Sequence, residues 1–185
     1  MYHTAKPYAV FKISNDKGVN KKTEEITKLF GSSLICKIDV TKTLDEPAPV
    51  GGALDLNCAQ HGIPSFMAEI GHAGRLENEF VDFGVKGVKN IMIFLKMIPG
   101  KVELPKKQIV LTSRWIIRCK NSGLAVIDVE PQDFVKKGKR VAHIVDVFGD
   151  IVEEILAPQD VYPISLRYEP VVNTGDRIAF VGSIE

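Results

Sequence analysis

Hydrophobic periodicity changes character once along this chain, and the change falls close to residue 107. Before it, strand-like and helix-like segments alternate. After it come only strand-length runs broken by Gly, Pro and Asp. Pro7 to Ile13 is aromatic and β-branched and reads as a first strand, with Asn15-Asp16-Lys17-Gly18 as the turn that ends it. Thr23 is expected to cap a helix with Ile26, Leu29 and Phe30 on one face and Gly31 as its stop. Leu34 to Ile38 predicts a second strand, Ala53 to Gln60 a second helix ended by Gly62, and Ile63 to Ile70 a third strand. Phe80, Phe83, Val88, Ile91 and Leu95 then recur at helical spacing. Gly84 and Gly87 lie on the same stripe, where small residues let a helix approach a sheet closely. This order predicts a parallel or mixed sheet covered by helices.

Pro99-Gly100-Lys101 through Pro105-Lys106-Lys107 reads as a linker, so the expected organisation is an α/β domain over residues 1–107 and an all-β barrel or sandwich over 108–185. Within the second part, the run from Phe134 to Ile144 is echoed by the run from Val171 to Val181. Their turn glycines, Gly138 and Gly175, are 37 residues apart. Two similar hairpin-like units packed face to face account for such an echo. Paired β units of this kind also resemble biotinyl or lipoyl carrier domains. The stretch that would present the modifiable lysine, Asp146-Val147-Phe148-Gly149-Asp150, has none.

At 185 residues the chain is one ample domain or two small ones. Lys plus Arg number 24 against 23 Asp plus Glu, so no global field draws in phosphates and nucleic acid is not an expected partner. The longest strongly apolar stretch, Ile91 to Ile98, carries Lys96 and is far shorter than the roughly 20 residues of a membrane span. Met1-Tyr2-His3-Thr4 has none of the features of a secretory signal. Cys36, Cys58 and Cys119 are odd in number and widely spaced, which suits reduced thiols and a cytoplasmic setting.

Chemistry-bearing residues concentrate in one segment and at one end of the sequence. Glu69 ends an otherwise apolar strand, at the carboxyl end where open α/β sheets place ligands, and Gly71 and Gly74 permit close backbone approach just beyond it. The bland reading is a carboxylate bracing the loop amides. His3 by its spacing alone is an ordinary solvated histidine.

Gly62-Ile63-Pro64, the strand ending in Glu69, Gly71-His72-Ala73-Gly74-Arg75-Leu76-Glu77 and Val85-Lys86-Gly87-Val88-Lys89-Asn90 resemble the C-terminal half of the succinylglutamate desuccinylase/aspartoacylase family. The β part is similar too, in Ser122-Gly123-Leu124, Val135-Lys136-Lys137-Gly138 and Ala157-Pro158. The resemblance implies a zinc-carboxypeptidase-like core that hydrolyses an N-acyl amide bond, acting on a small acylated amino-acid-like substrate. By the same resemblance Glu69 corresponds to the general base that takes a proton from zinc-bound water, and His3, in Met1-Tyr2-His3-Thr4, to a zinc ligand. Arg75 and His72 are weaker candidates for holding the substrate.

The departure from the family is the His-x-x-Glu pair that supplies two further zinc ligands. None of His3, His61 or His72 has a carboxylate three residues on, and His143 with Asp146 lies on a strand, where residues three apart face opposite sides. The expectation is therefore a zinc-dependent hydrolase represented by its C-terminal portion, completed by a missing N-terminal half, a partner chain or a homo-oligomer. The alternative is a non-catalytic binding or assembly module that retains the fold.

Overall fold

Strand β1 (His3–Thr4) is followed by β2 (Tyr8–Ile13), whose six residues are almost all buried. The computed structural model describes residues 3–41, 53–72 and 75–184 and divides into two units. One comprises Pro7–Ile70 and Leu76–Thr112; the other comprises Met1–Lys6, Gly71–Arg75 and Ser113–Glu185.

In the first unit, helix α1 (Lys17–Phe30) begins seven residues earlier than expected. Asp16 is its cap, with Oδ1 accepting from the Gly18 and Val19 amides at 2.8 and 3.0 Å, so the predicted turn is the helix start and Thr23 is a buried interior residue. Gly31 ends the helix at φ 95°, as the sequence indicated. Strand β3 (Leu34–Asp39), helix α2 (Leu54–Gln60), strand β4 (Met67–Glu69), helix α3 (Asn78–Phe94) and strand β5 (Ile109–Leu111) follow.

The sheet order is β4-β2-β3-β5. β3 runs parallel to both β2 and β5, whereas β4 runs antiparallel to β2 with Glu69 opposite Tyr8. The sheet is thus mixed, and the third strand is three residues rather than eight. Ala9, Phe11 and Ile35 bury one face together with Ile13, Phe66 and Val110. Phe30 of α1 meets Phe66 and Phe83 with ring centroids 5.2 and 5.5 Å apart. The small-residue stripe of α3 serves a helix rather than a sheet: a Cβ at Gly87 would stand 2.5 Å from the Phe30 ring. Buried Asn90 exchanges two hydrogen bonds with the Glu103 backbone, pinning the linker that follows. β5 belongs to this sheet, so the α/β pattern extends past the composition break.

In the second unit, β6 (Ser113–Arg118), β7 (Gly123–Ile127), β8 (Arg140–Val145), β9 (Ile151–Leu156), β10 (Tyr162–Arg167), β11 (Val171–Val172) and β12 (Arg177–Ser183) form two antiparallel sheets. Their orders are β1-β10-β12-β6 and β11-β7-β8-β9. The two echoed runs supply β8 and β12, one to each sheet. Val141, Ala179 and Val181 share one buried cluster, and Ala142, Ile144 and Ile178 share another, so the repeat halves meet across the core. Among the described residues no helix is long and apolar enough to cross a membrane.

Candidate functional site

Among the described residues β4 is an edge strand that pairs with β2 alone. Because it runs antiparallel, its carboxyl end lies at the amino end of β2. That corrects the expected location: Glu69 is not at the carboxyl ends of the parallel strands but at the opposite edge, next to the point where the chain enters β2. The Glu69 side chain is exposed and has no hydrogen bond or ion pair with the described residues. The loop-brace reading is thereby deprived of the Gly71 and His72 amides. Gly74 lies outside the described residues.

His3 sits five residues before Tyr8 in the sequence, and its backbone pairs in register with Arg167 of β10. Its side chain lies outside what the structure describes. His72, half-buried, follows Gly71 at φ 76°, and its carbonyl accepts from the Arg75 amide at 3.4 Å. Arg75 is exposed. Its Nη2 donates to the Tyr168 hydroxyl at 2.9 Å, and its guanidinium carbon stands 5.2 Å from the centroid of that ring. Tyr168 went unremarked in the sequence because 93 residues separate it from Arg75 and no motif surrounds it.

Two further clusters of charge are present. Lys12 Nζ lies 2.7 Å from Asp55 Oδ1, with both side chains largely buried, at the carboxyl end of β2 and therefore at the far end of that strand from Glu69. In the β unit, Asp128 Oδ2 accepts from Arg140 Nε at 2.9 Å and lies 2.9 Å from His143 Nδ1, while Arg140 also reaches Glu154 at 2.7 Å. Burial works against ionisation of Asp128, but hydrogen bonds with His143 and Arg140 outweigh it and hold the carboxyl below its ordinary value. Among the described residues the three cysteines form no disulfide, and burial pushes the Cys119 thiol up, away from the reactive thiolate form.

The zinc that the resemblance implies requires about three protein ligands and an open position. The described residues bring no group of three or more His, Cys, Asp or Glu side chains together, so they do not fit a zinc site by themselves.

The fold is shared with solved structures described as succinylglutamate desuccinylase or aspartoacylase family proteins. Over 99% of its length the chain superposes with a TM-score of 0.82 and 20% identity on the ectoine utilization protein EutE (DoeB) from Ruegeria pomeroyi, covering 55% of that chain. A succinylglutamate desuccinylase from Silicibacter sp. TM1040 gives 0.82 at 18% identity, over all of this chain and 55% of that one. An aspartoacylase family protein from Mesorhizobium loti gives 0.73 at 17% identity over 100% and 54%. The chain therefore spans about half the length of the solved structures it matches. No protein-family model matches the sequence, and no curated protein does.

Proposed function

We propose that this chain belongs to the succinylglutamate desuccinylase/aspartoacylase family and forms part of a hydrolase that cleaves an N-acyl amide bond. In this reading Glu69 is the general base, accepting a proton from the attacking water. The observation that carries it is an exposed, unpaired carboxylate ending β4 within a deacylase fold. A carboxylate held by a strand yet uncommitted to any neighbour is available for proton transfer. His3 is proposed as one zinc ligand, with the remaining ligands supplied from outside these 185 residues. His72 and Arg75 are proposed to face the acylated amino-acid-like substrate.

The test is release of free amine from a panel of N-acyl amino acids by the full natural polypeptide containing these residues, with zinc supplied. Glu69→Gln keeps the shape and removes the basicity, and the proposed role requires turnover to fall by roughly a hundredfold or more while stability stays near wild type. Unchanged turnover removes Glu69 from the chemistry. A protein that hydrolyses none of the panel with zinc present favours a binding or assembly module on the same fold.

A further inference from the structure

We propose that Tyr168 is a positioning residue that makes Arg75 a preset receptor for a ligand carboxylate; the hydrolase reading above supplies the identity of that ligand as an acylated amino acid. The hydrogen bond from Arg75 and the approach of its guanidinium to the ring both come from Tyr168. Together they hold in one orientation a long side chain that otherwise loses considerable rotamer freedom on binding. A guanidinium has five N–H donors in a rigid fork, and Tyr168 uses one.

Among the described residues no carboxylate neutralises Arg75. Two other arginines of the same unit are committed. Arg167 donates to the carbonyls of Glu169 and Val171 and stands 3.4 Å from Asp176, and Arg140 is held between Asp128 and Glu154. An oriented cation with an open fork and no counter-charge matches a carboxylate, which a guanidinium can grip through two parallel hydrogen bonds. Tyr168 directly follows Arg167, the register partner of His3, so the fork is tied to the residue just beyond the end of β10.

Succinate is the probe, read by the Nε–H resonances of protein labelled with nitrogen-15 arginine. The expected result is a saturable shift of the Arg75 resonance while the other arginines stay in place. Tyr168→Phe keeps the ring and removes the oxygen, and should weaken binding about threefold to tenfold. Arg75→Lys loses the fork and should weaken it at least tenfold. Tyr168 is 58% exposed, so the core is untouched, and an unchanged melting curve verifies this for each variant. Equal affinity in Tyr168→Phe, or a succinate response shared alike by all exposed arginines, overturns the proposal. Because binding is read without turnover, its failure leaves hydrolysis to be judged separately, and an absence of hydrolysis leaves the carboxylate site standing.

Discussion

Lys12 and Asp55 show how a single pair can be indispensable without being strongly stabilising. The pair is 7% and 14% exposed, and Asp55 Oδ2 is buried with no partner among the described residues. Desolvating two such charges costs nearly as much as their attraction returns, but removing one strands the other. Asp55→Ala should therefore lower unfolding free energy by about 3 kcal/mol, while the double substitution Lys12→Met with Asp55→Leu should recover most of that loss in urea titrations. Asp128 carries a pH-dependent counterpart. Its folded pKa is depressed below the ordinary 3.8, so its contribution is complete above that value and is lost as pH falls through the folded one. The stability gap between wild type and Asp128→Asn should be present above pH 3.8 and should close on acidification below it, as measured by denaturation at each pH. Glu69 was legible as a residue because a carboxylate ending an apolar run is conspicuous. Its surroundings were not, since they depend on which way β4 runs. The Arg75–Tyr168 pair left no trace in the sequence because its two members meet only through folding.

Among the elements, α3 illustrates a fit decided by one atom. A methyl at Gly87 would lie 2.5 Å from the Phe30 ring and 2.8 Å from the Phe30 carbonyl oxygen, whereas at Gly84 the nearest atom is the Ile70 Cδ1 at 3.3 Å. Gly87→Ala is expected to cost about 1–3 kcal/mol through overpacking. Gly84→Ala meets only a movable side-chain tip and should fall near neutral, with the helix-propensity gain of about 1 kcal/mol offsetting the contact. Thermal unfolding of the two variants distinguishes them. The periodicity of α3 was plain in the sequence, as was the stop at Gly31, because both are local. The start of α1 was misjudged between two local signals: Thr23 with acidic residues after it, and Asp16 in what looks like a turn. Asp16 prevails because an Asx turn and an N-cap share the same first hydrogen bonds. The direction of β4 could not be read at all. Strand polarity is fixed by pairing with β2, and three residues carry no periodicity from which to infer it.

For the molecule as a whole, ligand supply and surface make separate demands. With no ligand cluster among the described residues, these 185 residues alone should retain zinc substoichiometrically after dialysis against a mild chelator, as elemental analysis would report. Stoichiometric retention would reveal a donor set not considered above. The exposed side chains of Ile63, Met67 and Ile70 lie on or beside the edge strand β4, a surface that soluble proteins seldom leave bare. Association in light scattering at micromolar concentration is the proposed outcome, and a monodisperse monomer counts against it. The sequence changes periodicity near residue 107, whereas the two units are not divided at a point along the sequence, because they exchange segments at residues 6, 70, 75 and 112.

That exchange bears on the time at which the molecule can be finished. β1 pairs with β10 through His3 and Arg167, 164 positions apart in the sequence, and β10 in turn pairs with β12, which ends at Ser183. At about 5–20 residues per second, a ribosome takes roughly 8–30 s to deliver the partner of His3 after His3 itself is made. Throughout that interval the strand holding the proposed metal ligand lacks its partner, while every strand of the β4-β2-β3-β5 sheet is complete once Leu111 has been made. Assembly of the β1 edge is thus a late event tied to chain completion, so a truncated or stalled product can hold a formed α/β sheet and still lack the pairing of β1 with β10.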